Sequence, residues 1–163
     1  MATNIIGTEK FKENLEDWLF KSDQKNAEYL YSNRNGIPQI FRNYTKRLYR
    51  GLKVNEEFLE KLKTKAYILE KHTSWTKDEK MARRFIDDPA YSFRGRGDIK
   101  IIISKIFPTR DQIFDIDAFV LFMGKEQLEM LGYDETNLDS AFKEKEVLVS
   151  KGVSIARTDY TFI

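Results

Sequence analysis

Residues 99–107 read Ile-Lys-Ile-Ile-Ile-Ser-Lys-Ile-Phe and are closed by Pro108, and no other stretch narrows the fold as much. Isoleucine is branched at Cβ, stiff at χ1 and suited to a pleated, half-buried surface. Proline has no N–H with which to continue a ladder. The run is therefore the strongest strand in the chain, and a strand needs partners. Residues 47–54, Arg-Leu-Tyr-Arg-Gly-Leu-Lys-Val, switch to a period of two and supply the first core strand. Residues 66–74, with Tyr67, Ile68 and Leu69, form a second strand candidate. After a Lys151-Gly152 turn, residues 153–163 hold one last strand or two short ones.

Helical patterns dominate the first part of the chain and separate the strands. Thr8 can cap a helix over residues 8–20 with Phe11, Leu15, Trp18 and Leu19 on one face. Residues 22–35 are mixed and close at an Asn35-Gly36 turn. Pro38 can open a second helix as far as residue 46, with Ile37, Ile40, Phe41 and Tyr44 on its apolar side. Asn55 caps a short helix that turns Phe58, Leu59 and Leu62 inward. Thr76-Lys77-Asp78-Glu79 reads as a capping box, starting a helix with Met81, Ala82, Phe85 and Ile86 as its buried stripe. Residues 91–97 form a loop with two Gly and two Arg. Short helices over 115–123 and 126–131 break at Gly124 and Gly132, and the polar residues 134–143 read as a surface loop. Helices first, then strands with short helices between them, give the α+β class.

Composition excludes several chemistries. A chain of 163 residues with 41% hydrophobic residues suits a single domain, made of a helical part (1–46) and a β-rich core (47–163). The net charge of +2 gives no global pull toward nucleic acid or an anionic membrane. Cysteine is absent and His72 is the only histidine, so disulfides, thiolate sites and paired-histidine zinc sites are ruled out. The N-terminal residues lack the pattern of a secretion signal, and no apolar run approaches the ~20 residues of a membrane helix. The expectation is a cytoplasmic protein without a membrane partner.

Residues 143–149, Lys-Glu-Lys-Glu-Val-Leu-Val, read as the start of a strand that carries Glu144 and Glu146 on one face. Adjacent like charges gain nothing structurally. They are useful where a cation, or a charge that develops during reaction, sits in front of them. Two further features precede them in order: Arg50 in Tyr49-Arg50-Gly51, and the hydroxyls of Ser74-Trp75-Thr76.

This ordered trio resembles the arginine, Ser-Thr-Ser and Glu-x-Glu signature of arginine-type mono-ADP-ribosyltransferases, a family that includes bacterial toxins and bacteriophage enzymes. The resemblance covers residues 47–153 and extends to the small residue and Phe that follow the hydroxyl motif, here Ala82 and Phe85. The chain departs from it in reading Ser-Trp-Thr. The resemblance implies a mixed β-sandwich of two small sheets with flanking helices, and NAD as substrate in the cleft between them, with no metal. It implies transfer of ADP-ribose to an accessible arginine of a protein, possibly a host protein in the bacteriophage case, with release of nicotinamide. By similarity, Glu146 binds the ribose and stabilises its positive charge as the nicotinamide bond breaks, as carboxylates do in glycosidases. Glu144 orients and helps to deprotonate the acceptor guanidinium. Arg50 pairs with the pyrophosphate, and Gly51 lets the backbone approach the nicotinamide amide. Ser74 fixes the Glu146 rotamer. Thr76 serves structure first, with NAD contact second. Phe93, Arg94 and Arg96 lie in a loop that folds over the nicotinamide and phosphates, with Phe93 favoured over Tyr91 for stacking.

Other readings attach to the same residues. Trp75 and His72 read as packing residues, and Phe142 either meets the substrate protein or anchors its loop. Water or a nucleic acid as acceptor would give an NAD glycohydrolase or a nucleic-acid modifier on the same fold. A non-enzymatic nucleic-acid module built on the Arg-Gly-Arg-Gly loop is disfavoured by the small net charge.

Overall fold

The computed structural model describes residues 4–87 and 97–162. Helix α1 (Glu9–Lys21) starts where Thr8 Oγ accepts the Phe11 N–H at 3.2 Å, and it buries Phe11, Leu15 and Trp18. Helix α2 (Gln24–Ser32) is capped by Asp23 and buries Ala27 and Leu30. Strand β1 (Arg47–Val54) has its sequence-predicted bounds. Helix α3 (Glu56–Thr64) follows, with Asn55 Oδ1 accepting the Phe58 N–H at 2.8 Å. Then come β2 (Tyr67–Ile68), β3 (Thr73–Thr76), α4 (Glu79–Asp87) and β4 (Ile99–Ile106). The remainder is β5 (Gln112–Asp115), α5 (Ile116–Met123), α6 (Lys125–Met130), α7 (Glu135–Glu144), β6 (Glu146–Val149), β7 (Ser154–Ile155) and β8 (Tyr160–Phe162). No helix among the described residues is long and apolar enough to cross a membrane.

The fold is α+β with two antiparallel sheets. The larger has the order β5-β6-β3-β1-β4-β8, and the smaller pairs β2 with β7. Strands β1 and β4 pair along their whole length, from Arg47↔Ile106 to Val54↔Ile99. Strands β3 and β6 pair from Thr73↔Val149 to Thr76↔Glu146. Between these halves the ladder is a single pair, Tyr49↔Thr76. The six-stranded sheet is thus two three-stranded halves joined at one point, and beyond it β1 and β3 diverge.

Alternation along the strands sorts the core. Leu48, Trp75, Ile101, Ile103, Val147 and Val149 point to one face, which α3 and the small sheet cover through Leu62 and Ile155. On the opposite face Leu148 joins a second cluster with Phe11, Leu15, Trp18, Phe114 and Phe119, built by the N-terminal helices and α5. Helix α4 covers β1 and β4 on that same side through Ala82 and Ile86. Its approach requires Gly51, because a Cβ there would lie 2.1 Å from the Ala82 carbonyl oxygen.

Several elements depart from the sequence reading for tertiary reasons. The helix expected over 38–46 is only a 3₁₀ turn, Gln39–Phe41. The Gln112 side chain takes the Tyr44 backbone instead, accepting its N–H at 2.9 Å and donating to its carbonyl at 2.7 Å. The second helix is α2, inside the stretch read as mixed. The strand expected over 66–74 divides, since Leu69 exchanges backbone bonds with Val153 and Gly152 while Thr73 turns to β6. The polar loop over 134–143 is α7: Asp134 caps it, and Leu138 and Ala141 bury one face. Helix α4 begins at Glu79, two residues later than a Thr76 cap would place it. Thr76 stays in β3, and Asp78 Oδ1 accepts from the Lys80 N–H at 2.9 Å.

Candidate active site

The divergence of β1 from β3 leaves the Ser74 carbonyl without a strand partner on that side, and Arg50 fills the place. Its Nη1 donates to the Ser74 oxygen at 2.6 Å. A guanidinium has five donors in a fixed fork, a geometry suited to more than one acceptor. Arg50 also forms a wall of a cleft of about 220 Å³, together with Leu52, Phe58, Tyr67, Leu69 and Thr73. The Phe58 and Tyr67 rings lie 4.8 Å apart there.

On the other side of Ser74 stands Glu146, the first residue of β6. It is 8% exposed, an unusual state for a carboxylate. Burial of that charge is tolerable only with donors. The Ser74 hydroxyl donates to Oε1, and the Trp18 indole N–H donates to Oε2 at 3.3 Å. Ser74 reaches it because Thr76 lies opposite Glu146 in the ladder, so Ser74 and Glu146 are diagonal neighbours on one face. Ser74 therefore links Arg50 and Glu146, its hydroxyl bonding Glu146 and its carbonyl accepting from Arg50.

Glu144 reaches the same place by a different route from the one expected. It does not share a strand with Glu146: it is the last residue of α7, and Lys145 between them is left-handed, with φ 50° and ψ 50°. A helix ending in a left-handed residue reverses its direction sharply, which returns the Glu144 side chain beside Glu146. Thr76 clamps the reversal. Its hydroxyl donates to the Glu144 carbonyl at 2.7 Å and accepts the Asp78 N–H at 3.1 Å, while the Lys77 N–H donates to the Lys145 carbonyl at 3.1 Å. Thr76 is 2% exposed, so structure occupies its hydroxyl. Glu144, Glu146, Ser74 and Thr76 line one hollow with the rings of Tyr49 and Phe85. It is tight, about 10 Å³, which is roughly one water.

Gly51 lies at the same level, but its bare Cα is what α4 packs against. Phe93, Arg94, Arg96 and Tyr91 lie outside the described residues. Phe142, read as either a contact for the substrate protein or an anchor of its loop, is half-buried and packs against the helical cluster.

Two polar networks hold these elements, the first of them buried. Lys77 Nζ lies 3.0 Å from Asp115 Oδ1 and 2.9 Å from Asp117 Oδ2, and 4.5 Å from the centre of the Tyr44 ring. Burial alone would lower its pKa, but Asp117 and Asp115 together outweigh that and hold it above the usual lysine value. Burial raises Asp115, against the Ala118 N–H and Lys77. The network joins the β3–α4 corner to β5 and α5. His72 has its Nδ1 accepting the Lys151 N–H at 3.0 Å, so Nε2 carries the proton and donates to Glu28 at 2.7 Å. Gln24 bonds the His72 backbone in both directions, which fixes α2 to the start of β3.

No protein-family model, curated protein or solved structure matches this chain. What the site can do must therefore follow from its own groups. A fixed guanidinium beside a cleft suits phosphate oxygens, and a buried, twice-held carboxylate suits a transient cation. A second carboxylate flanked by aromatic rings suits a planar cation such as a guanidinium.

Sequence reading missed Trp18 and Lys77. An indole on a buried helix face must find an acceptor for its N–H, and that requirement was the one signal available for Trp18. Its partner lies 128 residues away. Lys77 gave no signal beyond its place after Thr76.

Proposed function

We propose that this protein is an NAD–protein-arginine mono-ADP-ribosyltransferase of ADP-ribosyltransferase-like fold, acting inside a cell on an exposed arginine of a target protein. The observation that carries the reading is that Ser74 bonds both Arg50 and Glu146 beside the single joint of a split sheet, and that Glu144 lines one hollow with Ser74 and Glu146. The pyrophosphate of NAD is assigned to Arg50 and the cleft beside it. The ribose next to nicotinamide is assigned to Glu146, whose charge opposes the positive charge that grows as the glycosidic bond breaks. Phe85 and Tyr49 supply rings against which a pyridinium or a guanidinium can stack. The hollow is smaller than a nicotinamide ring, so binding must turn one of these rings aside.

Glu144 is assigned to the acceptor. The arginine nitrogen attacks the ribose carbon as nicotinamide leaves, and the nitrogen gives up a proton, for which Glu144 is the nearby base. The supporting physics is the contrast between the two carboxylates: Glu146 is buried and held by donors, while Glu144 is half-buried at a turn that a protein surface can reach.

The test is incubation of the wild type and Glu146→Ala with labelled NAD and cell extract. Label on protein, stable to conditions that release carboxylate-linked ADP-ribose and present only with the wild type, is the expected result. The variant should lose about 10²–10³-fold in rate. Equal labelling by both would overturn the reading.

A further inference from the structure

The Glu146 carboxylate is held from two directions. Ser74, on the neighbouring strand, donates to Oε1, and Trp18, from the second half of α1, donates to Oε2. One donor leaves a carboxylate free to pivot about the bonded oxygen, whereas donors on different oxygens also fix its plane. The Trp18 ring is itself packed in the core. It is 2% exposed and shares its cluster with Leu15 and Phe11, one and two turns earlier on the same helix face. A buried indole needs an acceptor, but a backbone carbonyl would serve without bringing a charge into the core. Pairing it with a carboxylate makes sense where the orientation of the carboxylate matters.

We infer that Trp18 is a positioning residue, and that through its indole N–H the N-terminal helix sets the plane of the Glu146 carboxylate for catalysis. The inference rests on the function proposed above. It places α1, outside the β-rich part that carries Arg50, Ser74 and Glu146, in the working apparatus of the site.

The experiment measures nicotinamide release from NAD as a function of pH for the wild type, Trp18→Phe and Leu15→Ala. Trp18→Phe keeps an aromatic ring and removes the N–H. Its kcat should fall about tenfold, the scale of one hydrogen bond to a charged group, with KM for NAD unchanged. Losing a donor to the anionic form favours protonation, so the acidic limb of its kcat profile should move to higher pH. Leu15→Ala removes packing from the same helix face. It should lower the melting temperature and leave the pH profile where it was. If Trp18→Phe does not fold, site-specific replacement of Trp18 by its benzothiophene isostere removes the N–H at constant shape and reads the same quantities. Unchanged kcat and pH profile in the N–H-deficient protein would overturn the inference alone, as would an equal shift in Leu15→Ala. A wild type that releases no nicotinamide would overturn the proposed function and the inference with it.

Discussion

Glu144 and Glu146 are one residue apart in spacing and quite different in surroundings. Glu146 is buried between Ser74 and Trp18, while Glu144 sits at a helix end whose carbonyl Thr76 holds. Under the function proposed above, the difference suits them to different partners: the sugar of NAD for Glu146, the incoming guanidinium for Glu144. Glu144→Gln keeps the shape and removes the base. It should suppress transfer to arginine by about 10²-fold or more and leave NAD hydrolysis far less affected. Parallel assays of labelled protein and free ADP-ribose check this. An equal fall in both would remove the acceptor role of Glu144 and favour water as the natural acceptor.

The joint between β3 and α4 depends on Lys77. Its ammonium is largely buried between Asp115, which caps α5, and Asp117 in the first turn of that helix. Removing the cation would leave two buried carboxylates uncompensated, so Lys77→Met should cost about 3–5 kcal/mol at neutral pH in denaturant unfolding. The pH dependence follows from the sign of the shift. The folded state holds Lys77 above its ordinary value. Its contribution is complete below the unfolded lysine value and is lost as pH rises through the folded one. The wild type should therefore lose stability in the alkaline range, and the loss should be smaller in Lys77→Met, where the tyrosines Tyr44, Tyr67 and Tyr133, also raised by burial, still contribute. A wild-type alkaline limb retained in the variant would remove this account.

A six-stranded sheet joined at a single residue pair is a place where a ligand can bind both halves at once. One half carries Arg50 and the other carries Ser74 and Glu146. NAD bound across them should stabilise the fold as a whole, by about 2.7 kcal/mol at a hundred times its Kd. Thermal unfolding with and without NAD measures this. In Arg50→Ala the NAD-dependent rise in Tm should be lost. A full rise in the variant would move the phosphates away from Arg50.

The strands and helices with strong local patterns were legible from the residues alone. The isoleucine run of β4, the alternation of β1, the Thr8 and Asn55 caps and the α4 stripe each express a preference satisfied within a few residues of itself. The trio Arg50, Ser74 and Glu146 was picked out by its resemblance to a family signature, and in the fold Ser74 bonds each of the other two. Tertiary structure decided the rest. Gln112, from beyond β4, took the backbone of Tyr44 and left no helix there. Burial of Leu138 and Ala141 made a helix of a polar stretch and moved Glu144 off the strand. Trp18 found Glu146 across 128 residues. Local propensity amounts to tenths of a kcal/mol per residue, and one buried side chain or one satisfied polar group outweighs it. Such partners are fixed only when the whole chain has closed around them.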